Sequence, residues 1–154
     1  MTAWSTRFAT CFGIGFIPIA PGTFASAAAL PFGWLLVHAG WKWLLAAALI
    51  ATLLGIWACG AHAKKIRIAD PSECVLDEVA GQWLALIPAA LGAREDWRPF
   101  VMAFFLFRLF DILKPWPISA AERLPGGLGV MMDDVLAGLV AAACLYGMLY
   151  IRLI

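Results

Sequence analysis

Two adjacent acidic pairs, Asp77-Glu78 and Asp133-Asp134, each directly precede an apolar segment in a chain poor in charge, with Asp111 between them in sequence. Neighbouring carboxylates at the mouth of an apolar helix repel each other, and this costs free energy unless a cation neutralises them. One such pair at a helix start is ordinary, because the helix macrodipole favours negative charge there. Two pairs, together with Asp111 and Asp70, call for a divalent cation. Its ligands would be hard oxygens. His38 and His62 stand apart from each other and read as structural, and Cys11, Cys59, Cys74 and Cys144 form no CxxC pair or finger spacing and read as small buried thiols. That donor set favours Mg²⁺ over Zn²⁺.

Two further segments carry complementary chemistry. In Arg108-Leu-Phe-Asp111-Ile-Leu-Lys114-Pro115, steps of three residues put Arg108, Asp111 and Lys114 on one helix face, with Pro115 ending the helix just after them. Snorkelling to the headgroups accounts for the two cations more readily than for the carboxylate. The stretch Gly13-Ile-Gly15-Phe-Ile-Pro18-Ile-Ala-Pro21-Gly22-Thr23-Phe-Ala-Ser26 lacks the preceding strand and the lysine of a P-loop. Its prolines stiffen the chain, its glycines permit close backbone approach, and Thr23 is placed to cap the next helix, whose N-terminus is suited to a phosphate. Read alone, it is equally a capped helix with a rigid re-entrant loop.

An acidic Mg²⁺ site beside Arg108 and Lys114 points to phosphoryl chemistry, with the metal polarising the phosphoryl oxygens and the cations binding the remaining charge. Other phosphatase designs are missing: no cysteine has an arginine six positions on, and there is no Asp-x-Asp-x-Thr and no Ser-Gly-His. Glu78 and Gln82 stack one turn apart, while Asp77 points about 100° away from Glu78.

The elements that must hold these residues are dictated by composition. Of 154 residues 64% are apolar and 14% charged, with a net charge of +1 and a mean hydropathy of +0.89. A soluble domain carries roughly 25% charged residues. A membrane is therefore the expected solvent, and no basic excess supports nucleic-acid binding. The length fits one domain over residues 1–154. No cleavable signal is evident, so the mature chain is expected to begin near Met1.

Since a crossing needs about 20 apolar residues, gaps between charges predict an all-α fold of four to five membrane-associated helices and a re-entrant Gly/Pro loop. The helices are expected at Thr23–Ala39 (kinked at Pro31 and Gly33), Trp43–Ala61, Val79–Ala93, Pro99–Phe107 and Val135–Ile151. Val79–Ala93 and Pro99–Phe107 are short and would be tilted or interfacial. Gly126-Gly127-Leu-Gly129 reads as a flexible approach to Asp133 and Asp134 at a helix start. Pairing the helices as hairpins puts the Gly/Pro stretch, the 62–78 link and the 108–134 stretch on one side. That side holds seven of the eleven Lys and Arg residues, which predicts that it is cytoplasmic.

Four motifs occur in order: Gly13-x-Gly15-x-x-Pro18-x-Ala20-Pro21-Gly22-Thr23; Asp77-Glu78-x-x-Gly81; Phe107-Arg108-x-Phe110-Asp111-x-x-Lys114-Pro115-Trp116-Pro117; and Gly126-Gly127-x-Gly129-x-Met131-x-Asp133-Asp134-x-x-Ala137-Gly138. With these the chain, over about residues 8–150, resembles the phosphatidylglycerophosphatase A family. Ser26 stands where that pattern has its serine, whereas Ala25 replaces an expected glycine. The resemblance implies a Mg²⁺-dependent lipid phosphomonoesterase of the bacterial inner membrane. It would convert phosphatidylglycerophosphate to phosphatidylglycerol and phosphate in phospholipid synthesis, with its active site facing the cytoplasm.

On that reading Asp77, Glu78, Asp133 and Asp134 hold the metal. Asp111 is a further ligand or orients the attacking water, and Asp70 is a lesser candidate for the same shell. Arg108 and Lys114 bind the phosphate with Gly22, Thr23 and Ser26, and Trp116 is an interfacial anchor. The expected partner is the lipid itself. No protein partner emerges, and a homo-oligomer is left open. Two rivals were weighed. A CDP-alcohol phosphotransferase lacks its Asp-Gly-x-x-Ala-Arg signature here. A transporter relaying ions or protons through intramembrane carboxylates fits poorly, because the carboxylates are expected at helix ends and no inverted repeat is visible.

Overall fold

The computed structural model describes residues 3–153, and the expected chain start at Met1 lies outside them. Eight α-helices and no strand occur among the described residues: α1 (Ala3–Ala9), α2 (Pro21–Ala39), α3 (Trp41–Ile66), α4 (Leu76–Ala85), α5 (Ile87–Gly92), α6 (Arg98–Leu113), α7 (Ile118–Ala121) and α8 (Gly127–Tyr150). The all-α expectation holds. Among the described residues three helices, α2, α3 and α8, are long and apolar enough to cross a membrane. Their outer surfaces carry exposed Phe32, Trp34, Trp43, Ile50, Leu53 and Trp57, an apolar exterior suited to lipid and rare on soluble monomers.

Helix ends differ from expectation where local chemistry outweighs charge spacing. α2 begins at Pro21, whose missing N–H falls where a helix needs none, behind Ala20 in a left-handed conformation (φ 49°). Thr23 is therefore inside the first turn and is not the cap. The helix runs unbroken through Pro31 and Gly33 and ends at Gly40. α3 continues five residues past Ala61 to Ile66, which shortens the expected 62–78 link. The predicted Val79–Ala93 helix is two helices, α4 and α5, parted at Leu86 just before Pro88. At about 1.5 Å per residue the ten residues of α4 cover about half the hydrocarbon thickness, so α4 is a buried insert and not a crossing. α6 extends to Leu113 and stops at a left-handed Lys114 (φ 42°), one residue before Pro115.

The largest shift is at α8, which starts at Gly127 and not near Val135. Asp133 and Asp134 thus lie almost two turns inside a helix, correcting the expectation of a helix start. Of the glycines before them, Gly127 and Gly129 are packed against neighbouring backbone, while Gly126 takes the left-handed φ of 62° ahead of the helix. A Cβ on Gly127 would collide with the Ile56 carbonyl and with Gly60 of α3, the close helix approach that small residues permit in membranes. The Gly/Pro stretch is compact, with a 3-10 turn over Cys11–Phe16.

α4 packs between α2, α3, α6 and α8. The indole N–H of Trp83 donates to the Ala29 carbonyl at 3.0 Å, tying α4 to α2. Against α8 the contact is backbone to backbone. A Cβ on Gly138 would come within 2.9 Å of the Gly81 Cα, and one on Gly81 within 2.7 Å of the Asp134 carbonyl oxygen. This approach sets the Asp77-Glu78 pair beside the Asp133-Asp134 pair.

Candidate active site

A cavity of about 150 Å³ opens where these helices meet, lined by Gly22, Asp77, Glu78, Asp111, Lys114, Asp133 and Asp134. The three stretches expected on one side thus converge. Asp70 reaches the same cavity from an exposed position in the link between α3 and α4. Asp77 and Glu78 project from the first turn of α4, where the macrodipole favours negative charge. Arg108 and Asp111 come from the last turns of α6, Lys114 from the residue that caps its C-terminus, and the second acidic pair from α8.

Among the described residues one group of acids is close enough to share a cation: Glu78, Asp111 and Asp134, with one carboxylate oxygen from each inside 4.8 Å of the others. Arg108 pairs with Glu78 and, at 2.9 Å, with Asp111. The Ser26 hydroxyl lies 3.0 Å from the Glu78 carboxylate and 2.9 Å from the Gly22 carbonyl, and it has one proton to donate between them. Gly22 has no room for a side chain, since a Cβ would overlap the Glu78 carboxylate and lie 3.3 Å from Arg108 Nη1.

Asp77 and Asp133 form the other half. Each accepts a hydrogen bond from the backbone N–H of its neighbour, Glu78 at 2.9 Å and Asp134 at 3.0 Å. Lys114 donates to Asp133 at 2.7 Å and lies 3.5 Å from Glu122.

Charge is crowded here. Burial, and then the charge of Glu78, push the Asp77 carboxyl well above the usual carboxylate range. Burial and Asp111 raise Glu78 despite Arg108 and Ser26. For Lys114, burial works to lower the ammonium, but the hydrogen bond and charge of Asp133 outweigh it and hold it above its ordinary value. Six carboxylates against Lys114 and the adjoining Arg108 leave an unbalanced negative site dominated by oxygen donors, which fits a hard divalent cation better than a soft one.

Other expected residues are placed differently. Thr23 does not line the cavity, and Ser26 is turned onto Glu78. Trp116 is 82% exposed, outside the cavity. His62 is buried between Thr6 (3.2 Å) and Glu73 (3.4 Å), and His38 caps its own helix on the Trp34 carbonyl, so neither reaches the site. Pro71, Ser72, Cys74, Val75 and Val130 also form cavity wall. The first four immediately precede Asp77, the one signal in the sequence that they would lie near it.

Residues 7–149 match the family described as Phosphatidylglycerophosphatase A. Relatives include Phosphatidylglycerophosphatase A of Escherichia coli K12, 36% identical over 88% of this chain and 77% of the relative. The protein of the same name from Haemophilus influenzae Rd is 38% identical over 90% and 85%. A Bacteroides thetaiotaomicron protein provisionally named a phosphatidylinositol-3-phosphatase is 43% identical over 84% and 83%. No solved structure gives a significant match. With four motifs folded into one acidic cavity and the match running through nearly the whole chain, the protein belongs to the phosphatidylglycerophosphatase A family of phosphatases.

Proposed function

We propose that this chain is a single-domain, multi-pass enzyme of the bacterial inner membrane that hydrolyses phosphatidylglycerophosphate to phosphatidylglycerol and phosphate, with Mg²⁺ as cofactor and the active site facing the cytoplasm. The observation that carries the reading is the gathering of Glu78, Asp111 and Asp134 from three helices beside Arg108. Those three acids would hold the metal. When bound, Mg²⁺ supplies charge neutralisation and polarisation of the phosphoryl oxygens.

The chain's own residues do the rest. Arg108 and Lys114, each held against a carboxylate, turn toward the phosphate dianion and stabilise the charge that spreads over its oxygens as the ester bond breaks. Asp77 and Asp133 line the remaining wall, where a carboxylate orients the attacking water. The water oxygen bonds to phosphorus, the bond to the glycerol oxygen breaks, and the proton passes to that leaving oxygen. Gly22 keeps the approach to Glu78 and Arg108 open.

The names of two relatives support the glycerol phosphate headgroup, while the third names another lipid monoester. Phosphate release by the detergent-purified protein is therefore measured from both lipids, with Mg²⁺ and with a chelator. Chelator-sensitive release from phosphatidylglycerophosphate is expected. Release from phosphatidylinositol 3-phosphate alone would reassign the substrate, and none from either by folded protein would end the hydrolase reading.

A further inference from the structure

Among the described residues only three buried side-chain nitrogen or oxygen atoms lack a hydrogen-bond partner, and they belong to two residues: both amide atoms of Gln82, and Nε of Arg108. Gln82 is fully buried. A buried amide with neither end satisfied is costly, and native proteins keep such groups where function needs them. Gln82 does not line the acidic cavity, so it is not a ligand for whatever that cavity holds.

Its neighbours say what it faces. Gln82 lies one turn after Glu78 on the same face of α4, and Glu78 is the residue that pairs with Arg108. A Cβ on the adjacent Gly81 would collide with the ring of Phe107, the residue before Arg108. Both orphaned groups thus belong to residues of the α4–α6 interface beside the Glu78–Arg108 pair, Gln82 carrying an acceptor oxygen and Arg108 a donor N–H. Nη1 of Arg108 is spent on Glu78 and Asp111. Nε is nearer the α6 backbone, behind those pairings.

We propose that Gln82 is a positioning residue for Arg108, its amide oxygen accepting the Nε–H directly or across one water when the guanidinium end leaves Glu78 and Asp111 for the substrate phosphate. This rests on the hydrolase reading for the phosphate, but the contact itself can be observed without turnover. An arginine that swaps carboxylates for a phosphate needs a partner for its Nε–H once its Nη groups have left Glu78 and Asp111. An uncharged acceptor provides it, because it does not compete with phosphate for charge. Such a hold restricts the guanidinium plane to orientations that present both Nη groups to the cavity.

The experiment compares wild type with Gln82→Leu and the nearly isosteric Gln82→Met, each verified as folded by circular dichroism and thermal melting. The Arg108 Nε–H resonance in ¹⁵N-arginine-labelled protein, assigned by its loss in Arg108→Lys, is followed by hydrogen exchange without metal and again with Mg²⁺ and inorganic phosphate. Protection beyond that of the metal-free protein is expected in wild type with Mg²⁺ and inorganic phosphate, and is expected to be lost in both Gln82 variants. The inhibition constant for inorganic phosphate and KM should rise about tenfold, the worth of a hydrogen bond to a charged group, with kcat falling less. Folded variants with wild-type exchange and wild-type phosphate inhibition would overturn the proposal. So would a lowered melting temperature with unchanged exchange, which would make Gln82 a packing residue only. If wild type releases no phosphate from any lipid, the hydrolase reading fails, while the exchange comparison with Mg²⁺ and inorganic phosphate still decides whether Gln82 holds Arg108.

Discussion

Ser26 and Glu78 are 52 residues apart in the chain, yet the serine hydroxyl lies 3.0 Å from the carboxylate at the edge of the acid trio. The Ser26 hydroxyl is therefore turned onto a candidate metal ligand. Hydrogen bonds of this kind typically contribute about 10–100-fold to metal affinity. Ser26→Ala should raise the Mg²⁺ concentration for half-maximal phosphate release about tenfold, with KM for the lipid nearly unchanged. A rise in KM alone would return Ser26 to the phosphate.

Asp134 is buried among like charges. Asp134→Asn should reduce phosphate release at least about 100-fold, the scale of losing one electrostatic element of a phosphoryl site. In metal-free protein the same change removes a poorly compensated buried charge and should raise the melting temperature. Added Mg²⁺ should stabilise wild type by about 2.7 kcal/mol at a hundred times its dissociation constant, and the Asn variant much less. Thermal melts with and without chelator measure both.

Gly22→Ala puts a methyl group onto the Glu78 carboxylate and beside Arg108. Displacing either by about 1 Å should cost about 100-fold in kcat/KM, while circular dichroism stays that of the wild type. Near-normal turnover would mean that the trio tolerates displacement.

The Lys114 ammonium is held above its ordinary value of 10.5 by Asp133. A group whose folded value is raised contributes stability that is complete below the unfolded value and is lost as pH rises through the folded one. Wild-type melting temperature should accordingly decline above about pH 10.5. Lys114→Met, which strands Asp133, should melt lower near neutral pH and show a smaller alkaline decline.

Much of this site is legible in the residues themselves. The two acidic pairs, Asp111 and the Arg108/Lys114 cations are recognisable because so few charges interrupt the apolar chain, and all of them line or touch one cavity. What local sequence does not encode is the angle at which three helices present their side chains. That angle brings Glu78, Asp111 and Asp134 into the close group, with Asp77 and Asp133 beside it. It depends on the Gly81–Gly138 approach, which no single segment contains. The misplaced start of α8 has a related cause. Gly126-Gly127-Leu-Gly129 suggests a flexible lead when read locally, whereas across the fold its lack of side chains lets α8 begin against Ile56 and Gly60. Thr23 fits the profile of a cap, but Pro21 starts the helix two residues sooner.

The division of the acids among α4, α6 and α8 also bears on how the protein is made. A nascent chain made only as far as Lys114 carries Asp70, Asp77, Glu78 and Asp111 against Arg108 and Lys114, a surplus of two negative charges. Arrival of α8 adds Asp133 and Asp134 and no basic residue between Gly127 and Tyr150. α8, made after α4 and α6, thus doubles the negative surplus of the cavity, so the site reaches its full charge only when the helices that share it have all been made.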